Sequence, residues 1–377
     1  MRVDLVDPPA YSPPYDHALA AALSRLGASV RLVTSSFAYG ESPAPDGYQR
    51  DERFYRHAVG PAGSRLRALS KRAEHPLDML RYRRAAARAA DVVHFEWLTV
   101  PRLDLRLLPP RPTVLTIHDP LERGRAPLPR PAFDRVNAII VHSQYAREQV
   151  IAQHGLEPER VHVIRHGVLG AGEGFPSLGD ANPSRTLPAE LQDTGEPVVL
   201  SYGLIRPYKG VRTLLEAWRG ITGAQLWIVG RPMMDLSGPL AAEGGVGPNL
   251  RLVPRFVTPQ EEAALFERAD IVVLPYERSE RFGFSGVLAT ALGHGKAIVL
   301  SDVGGLSEVA SDPARRAARL VAPGDAAALN AALTELIADP DQRARLAAVA
   351  AKAASEEYSW DSAAKATLAL YERIAAP

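Results

Sequence analysis

The sequence predicts an α/β protein built in two halves. Short apolar runs of strand character alternate with helical segments along nearly the whole chain. The alternation stops near the middle, in a stretch punctuated by glycine and proline, and then restarts. The length of 377 residues exceeds one typical core and suits two α/β domains. Mostly apolar strands alternating with helices imply parallel sheets covered on both faces.

Arg2–Val6 reads as a strand and Tyr15–Leu26 as a helix, with Ala18, Leu19, Ala22 and Leu23 on one face. Ser29–Thr34 is a second strand, stopped by Ser35 and Ser36. Asp91–Phe95, Thr113–Ile117 and Ala138–Val141 are short buried strands. Ser143 suits the N-cap of a helix over Tyr145–His154, and Val161–Ile164 closes the half. From Gly167 to Glu196 a polar run carries Gly170, Gly172, Gly174, Pro176, Gly179 and Pro183, the composition of a linker. Strands follow at Val198–Tyr202, Gln225–Val229, Leu250–Val253, Asp270–Leu274, Ala297–Leu300 and Arg319–Val321. The helices Leu214–Arg219, Gln260–Arg268, Val287–Leu292 and Ala326–Ala338 lie between or after them. Beyond Pro340 the chain is helical, with a break at Tyr358–Asp361 before a last helix over Ser362–Ile374. Two such halves imply two Rossmann-like domains facing a cleft, with ligands at the carboxyl ends of the strands.

Lys plus Arg total 44 against 43 Asp plus Glu, so no global field draws the chain to nucleic acid or membrane. The absence of cysteine excludes disulfides, thiol nucleophiles and cysteine metal sites, and fits a reducing, cytoplasmic setting. Met1 leads directly into a strand, and Asp4 and Asp7 interrupt any signal-like run. No stretch approaches the roughly 20 apolar residues of a membrane span. The chain carries no P-loop, no G-x-G-x-x-G after the first strand and no G-x-S-x-G elbow. Asp339-Pro340-Asp341 sits at a helix junction, where capping is favoured over metal binding, and the histidines lack zinc-site spacing. No metal or cofactor is expected.

The richest stretch is Val198–Gly210. A strand breaks at Gly203, and Arg206 and Lys209 stand at the mouth of the next helix. Backbone N–H groups, the helix dipole and two cations favour an anionic, phosphate-bearing ligand. The competing reading is a pair of solvated surface cations. His118-Asp119 follow the strand at Thr113, and His94, Glu96 and Trp97 end the strand before it. Each of these is either functional or a satisfied structural group. Gly230-Arg231 ends another strand, and the loop after Pro275-Tyr276-Glu277 leads through Ser285-Gly286 into a helix. That helix start presents N–H groups to a phosphate or is an ordinary cap.

Taken together these positions resemble the retaining GT-B glycosyltransferases of family four (glycosyl transferases group 1), over almost the whole chain. Gly203-Leu204-Ile205-Arg206-Pro207-Tyr208-Lys209-Gly210 is similar to the family's G-x-[ILV]-x-x-x-K-G signature. Leu226–Gly230, Leu274-Pro275-Tyr276, Ser285–Leu288, Gly295-Lys296-Ala297 and Val303–Val309 resemble the rest of its donor domain. Val163–Val168 resembles the run into the interdomain linker, and Tyr358-Ser359-Trp360 the segment where the last helix crosses back to the first domain. The resemblance implies an acceptor domain over 1–168 completed by 360–377, a linker over 169–196, and a nucleotide-sugar donor domain over 197–359.

One departure stands out. The family's E-x7-E pair assigns one carboxylate to the donor sugar and one to the nucleotide ribose. Counting back from Gly295-Lys296-Ala297 puts Phe282 and Thr290 there; counting from Glu280 pairs it with Leu288. The first register is preferred because Thr290 can still bond a ribose hydroxyl, with Glu280 or Glu277 reaching the sugar from the loop. The Gly-Gly of the family's first loop is replaced by Pro8-Pro9-Ala10-Tyr11-Ser12.

The resemblance implies a glycosyltransferase acting on a nucleotide-diphosphate sugar, with retention, without metal, and with no cofactor beyond that co-substrate. Arg206 and Lys209 would stabilise the leaving diphosphate, and His118 would line the sugar pocket. Gly203, Gly230, Arg231, Glu280, Phe282, Ser285, Gly286, Val287 and Thr290 would form the donor site. Tyr11, Tyr15, Asp16, Glu96 and Asp119 would lie on the acceptor side, facing a saccharide, lipid-linked or small-molecule acceptor of cell-surface glycoconjugate synthesis. An epimerase or phosphorylase of the same fold, and a non-catalytic nucleotide-sugar-binding homologue, stay open. Arg65, Arg67, Lys71, Arg72, Arg81, Arg83, Arg84 and Arg88 interleave with Leu66, Leu69, Leu77, Met79 and Leu80. A solvated surface is the favoured reading there; peripheral contact with an anionic membrane, at its cytoplasmic face, is the other.

Overall fold

The computed structural model describes residues 1–37, 42–119, 128–170, 186–242, 247–278, 283–311 and 316–376, without the side chains of 240–242. The chain divides into two units. Among the described residues the first comprises 1–167 with 359–376, and the second 168–170 with 186–358. Each is built around its own parallel sheet.

The first unit contains β1 (Arg2–Asp7), α1 (Pro13–Arg25), β2 (Ser29–Ser35), β3 (Gln49–Phe54), α2 (Arg65–Ala89), β4 (Val92–Phe95) and the single turn α3 (Pro101–Asp104). It continues through β5 (Thr113–Thr116), β6 (Ala138–Val141), α4 (Gln144–His154) and β7 (Val161–Val163). The strand order is β3-β2-β1-β4-β5-β6-β7, all parallel. Val6, Val33, Val93, Phe95, Leu115, Ile139 and Val141 share one core with Met79, Tyr82 and Ala86 of α2 and Val150 of α4. Side chains of this kind contribute roughly 1.5–3 kcal/mol each when fully buried. Ser143 caps α4 by accepting from the Ala146 N–H at 3.0 Å, as its position in the sequence suggests.

Besides the single turn α3, two elements of this unit were not anticipated. The edge strand β3, Gln-Arg-Asp-Glu-Arg-Phe, is charged rather than apolar, which suits an exposed sheet edge. The other is α2, one helix of 25 residues despite Pro76. It buries His75, Asp78, Met79, Tyr82 and Ala86. Helical spacing puts Leu66, Leu69, Ala73 and Leu77 on the opposite stripe, where the three leucines are 57%, 62% and 56% exposed. Arg65, Arg72, Arg81, Arg84 and Arg88 are exposed around that stripe.

The second unit contains β8 (Val198–Tyr202), α5 (Val211–Ala217), β9 (Gln225–Val229), α6 (Ser237–Ala242), β10 (Leu250–Val253), α7 (Pro259–Arg268) and β11 (Ile271–Leu274). It ends with α8 (Gly286–Gly293), β12 (Ala297–Ser301), β13 (Arg319–Val321), α9 (Ala326–Ala338) and α10 (Pro340–Glu356). The order is β10-β9-β8-β11-β12-β13, again parallel. Alternate residues serve two faces: Val198, Leu200, Trp227 and Leu274 pack in one core, and Val199, Leu226, Ile228 and Val273 in the other. Thr258 and Glu261 form a capping box on α7. Asp339 caps α10, accepting from the Gln342 N–H at 2.8 Å, so Asp339-Pro340-Asp341 does the capping work expected of it.

The last helix, α11 (Trp360–Ala375), belongs to the first unit and packs on α1. Ser359 caps it through the Ser362 N–H, and Tyr371 is fully buried there. Among the described residues no helix is long and apolar enough to cross a membrane.

Candidate active site

In both sheets the strand order reverses beside the first strand of the unit, between β1 and β4 and between β8 and β11. Open α/β sheets leave a crevice at the carboxyl ends of such a strand pair. Several of the described residues singled out by the sequence lie on the loops at these two points.

In the second unit β8 ends at Tyr202 and Gly203 follows with φ +101°. Gly230, at the end of β9, comes so close that a Cβ on it would lie 2.0 Å from the Gly203 carbonyl oxygen. Beyond Gly203 the chain is tied to the β9 loop by Ile205 N–H donating to Arg231 O at 3.0 Å and Met233 N–H donating to Ile205 O at 2.8 Å. A single turn over Pro207–Lys209 then hands over to α5 at Gly210. This rigid loop aims Lys209 across the switch point. Its ammonium donates to the Tyr276 hydroxyl at 2.7 Å and lies 4.7 Å from that ring's centroid. Tyr276 follows β11 and also bonds the Ser285 hydroxyl at 3.2 Å.

Ser285 occupies the N-cap position of α8 without capping it through its own side chain. The first turn of α8, beginning at exposed Gly286, therefore keeps N–H groups that its cap side chain does not satisfy. The half-buried Arg206 guanidinium has no hydrogen-bond or ion-pair partner among the described residues. Val287 approaches Gly203, with its Cγ2 3.2 Å from where a Cβ would stand. Arg231 is exposed and lies over the Phe256 ring at 5.6 Å. Cations and backbone donors at one strand-pair end are an arrangement suited to an anion.

Two residues expected at the donor site are engaged within the protein. Thr290 is buried and donates its hydroxyl to Gly286 O at 3.0 Å, within α8 itself. Glu277 accepts from the Thr213 hydroxyl at 2.8 Å and so braces α5. Glu280 and Phe282 lie outside the described residues. Tyr276 was missed as a site residue, although a Pro-Tyr pair directly after a strand at the switch point was the available signal.

In the first unit His118 follows β5 and Glu96 follows β4. The His118 Nε2 lies 3.1 Å from Glu96 Oε2, and its Nδ1 lies 3.2 Å from His142 Nε2. His142 Nδ1 donates to the Ile164 carbonyl at 2.9 Å. The His118 ring stacks on Trp97, with centroids 4.7 Å apart and planes 14° apart. Tyr15 is buried edge-on to His118, and Trp97 donates to the Ser12 hydroxyl at 2.7 Å. Tyr11 is 66% exposed and meets Trp97 edge-on. Asp119 is exposed. Asp16, Glu96 and Asp7 are all buried. Asp7 accepts from the Tyr11 N–H at 2.7 Å and the Ser12 N–H at 3.2 Å. An internal carboxylate thus fills the loop that replaces the resembling family's Gly-Gly.

Burial sets the protonation of this cluster. It pushes the Asp7 carboxyl up to about 6, and raises Glu96 and Asp16, the latter helped by the neighbouring Asp7 charge. It lowers His118 and His142 to about 3, with the two rings also disfavouring charge on one another at His142. Both ring nitrogens of His118 are engaged within the protein. His142 and Trp97, its partners, were not among the expected site residues.

Comparison with known proteins identifies the family and the fold. Residues 15–168 match the family model Glycosyltransferase Family 4, and residues 196–339 match Glycosyl transferases group 1. A D-inositol 3-phosphate glycosyltransferase of Xylanimonas cellulosilytica is 28% identical over 94% of this chain and 89% of its own. The alpha-maltose-1-phosphate synthase of Mycolicibacterium smegmatis is 29% identical over 77% of this chain and 81% of its own. Among solved structures, sucrose-phosphate synthase from Thermosynechococcus elongatus superposes with a TM-score of 0.71 at 18% identity, covering 99% of both chains. HepE from Anabaena, solved with UDP and glucose, gives 0.69 at 16% identity over 99% of this chain and 100% of its own. The fold is GT-B.

Proposed function

We infer the reaction from one premise: the chain belongs to the glycosyltransferases, with a Family 4 first half and a group 1 second half. Its donor is a nucleotide-diphosphate sugar held by the second unit, and its acceptor is a saccharide, lipid-linked or small-molecule hydroxyl received by the first. The observation that carries this reading is the convergence of Lys209, Tyr276 and Ser285 at the start of α8, at the β8/β11 switch point, with Arg206 three residues before Lys209 on the same loop.

As the bond between the anomeric carbon and the leaving phosphate oxygen breaks, negative charge grows on the diphosphate. Arg206 and Lys209 lower its energy, and N–H groups at the start of α8 add to this. Preorganised charge of this kind is usually the largest catalytic contribution. The acceptor oxygen attacks the oxocarbenium-like centre from the face the diphosphate leaves, and its proton passes to the departing phosphate oxygen. Configuration is retained, and neither a protein nucleophile nor a metal is needed. Both nitrogens of His118 are occupied, so His118 acts here as a positioned wall of the sugar site rather than as its base.

The enzyme works in the cytoplasm, where a chain without cysteine is at home. The exposed leucine stripe of α2, framed by arginines, supports a peripheral place on an anionic membrane face, beside lipid-linked acceptors.

A thermal-shift screen with UDP-, GDP-, ADP- and dTDP-sugars tests the donor site, since a ligand that binds the folded state raises its apparent stability. Stabilisation by one nucleotide family, lost in Arg206→Ala/Lys209→Ala, is the expected result. No shift with any donor would move the reading to a non-catalytic homologue. Turnover of the binding donor, in excess EDTA and across an acceptor panel, then tests transfer and metal independence.

A further inference from the structure

The hydrogen bonds around His118 have a direction, and the direction is fixed from one end. A backbone carbonyl can only accept, so the His142 nitrogen facing Ile164 O at 2.9 Å carries a proton. If His142 is neutral, its other nitrogen is a bare acceptor, and the His118 nitrogen 3.2 Å away must donate to it. A neutral His118 then presents a bare Nε2 to Glu96 Oε2 at 3.1 Å. Two lone pairs cannot make that contact, so Glu96 must hold the proton between them.

The alternatives only slide the same proton along the chain. Moving it to His118 makes an imidazolium beside a Glu96 carboxylate, and moving it one step further makes His142 the cation. While these contacts hold, Glu96, His118 and His142 together share one proton beyond those fixed by Ile164. The surroundings select its resting place. Glu96 is 0% exposed and His142 2% exposed, so separated charges are costly there. A charge on Glu96 would oppose the ionisation of Asp7 and Asp16, buried on β1 and α1. On β4, His94 Nε2 stands 3.4 Å from Glu96 Oε1, but it is already within 2.7 Å of the Thr116 hydroxyl, while its Nδ1 bonds Tyr371 of α11 at 2.6 Å. Tyr15 stands edge-on to His118 from α1, and His166 packs beside His142 at 5.2 Å, without supplying a compensating charge. Burial raises Glu96 and lowers both histidines, in agreement with a neutral chain.

We propose that Glu96 is a neutral carboxylic acid that donates its proton to His118, and that this bond is the positioning device holding the His118 ring against Trp97 in its Nδ1–H form. The chain is then a short proton wire: a proton entering His118 Nε2 from Glu96 releases the His118 Nδ1 proton to His142. At alkaline pH Glu96 gives its proton to solvent base, the carboxylate faces the bare Nε2, and the ring loses its anchor. The consequence for turnover rests on the glycosyl-transfer reading; the location of the proton does not.

The decisive measurement is nitrogen-15 NMR of the full chain with labelled histidine. The His118 signals are assigned by their loss in His118→Asn or, should that variant not fold, by contacts of its ring protons with Trp97. Near neutral pH the expected pattern is one protonated and one bare, hydrogen-bonded nitrogen on His118, with the bare one toward Glu96. An infrared band of a protonated carboxyl, absent from Glu96→Gln, accompanies it. Two protonated nitrogens on His118, or a proton on Nε2 alone, overturns the proposal.

The functional arm compares two variants. Glu96→Gln keeps an N–H donor for Nε2 and does not titrate, whereas Glu96→Leu has no donor. We expect Glu96→Leu to lower kcat by about 10- to 100-fold, the usual cost of losing an orienting partner. Glu96→Gln recovers about tenfold of that and loses the alkaline fall in activity. Equal kcat in the two variants, or an alkaline fall kept in Glu96→Gln, removes the positioning role. If no transfer is found with any acceptor, the functional reading fails while the NMR result still decides where the proton lies.

Discussion

A Cβ on Gly210 would stand 1.7 Å from the carbonyl oxygen of Pro275. The loop after β8 and the loop after β11 therefore touch backbone to backbone, and this contact sets the reach of Lys209 to Tyr276. Gly210 also has φ +66°, which costs an L-residue roughly 1–2 kcal/mol. Gly210→Ala meets both penalties, and the obstacle is main chain that cannot swing aside. We expect a loss of about 2–4 kcal/mol in urea unfolding, on the scale of strain at a special backbone position. We also expect donor binding to fall with it. An unfolding midpoint equal to that of wild type would mean the two loops can part freely.

Arg206 and Lys209 should separate by what each leaves behind. The Arg206 guanidinium has no partner among the described residues, so Arg206→Ala should leave stability nearly unchanged and lower turnover by roughly two to three orders of magnitude. Lys209→Ala should cost about as much in turnover while also releasing Tyr276. Tyr276→Phe keeps the ring beneath the ammonium and removes only the hydroxyl that holds Lys209 and Ser285. About a tenfold loss in kcat is expected from a misaimed but present cation. Wild-type rates in both Arg206→Ala and Lys209→Ala would sink the assignment.

Local signals made much of this legible in the sequence, and long-range ones did not. Val198–Tyr202 and Gln225–Val229 stand where their mostly apolar runs put them, because strands inside a parallel sheet are covered on both faces. Ser143 and Asp339 cap where their side chains suggest. Helix α5 begins at Val211, where Gly210 in the left-handed region starts it without a polar cap side chain. The strand Gln49–Phe54 escaped because an edge strand need not be apolar. The whole extent of α2 was hidden by Pro76 and by leucines on the wrong face for a core. Thr290 could be placed on a helix from sequence, but not its turn onto Gly286 O. The links from His118 to His142 and from Lys209 to Tyr276 join loops that follow separate strands, which no local pattern reports.

The leucine stripe of α2 gives a direct membrane prediction. Leu66, Leu69 and Leu77 are more than half exposed, and burying such side chains in an interface contributes roughly 1.5–3 kcal/mol each, with about 1 kcal/mol from each nearby basic residue on an anionic surface. The chain should sediment with vesicles containing phosphatidylglycerol and remain free of pure phosphatidylcholine vesicles. Leu69→Glu/Leu77→Glu should weaken binding at least tenfold without shifting thermal stability, since neither side chain is in the core. High salt should weaken it as well, by screening the arginines. Equal binding to neutral vesicles, or none to anionic ones, would return this helix face to the status of a solvated surface.

Stability should fall when the protein is acidified below about pH 6.5, and the histidines decide the sign. His118 and His142 are lowered from 6.5 to about 3, and burial lowers His94 and His166 in the same direction. Between these limits the unfolded chain binds protons that the folded chain refuses, so their contribution is full above pH 6.5 and is lost as pH falls. The buried acids oppose this. Asp7 is raised from 3.8 to about 6, and Asp16 and Glu96 are raised as well, so the folded state holds protons there that the unfolded state has lost. That contribution is full below the unfolded carboxyl range and is lost as pH rises through the folded value. Between about pH 4.5 and 6, His118 and His142, held near 3, outweigh Asp7, held near 6, by one proton, a net loss on acidification of order 1 kcal/mol per pH unit. His94 and His166 on one side, and Asp16 and Glu96 on the other, act in opposite directions. Urea midpoints at pH 7, 6, 5 and 4.5 measure it. Asp7→Asn, which removes one opposing acid, should make the decline steeper. Midpoints that stay level or rise toward pH 4.5 would show that the imidazoles take up protons without unfolding the cluster.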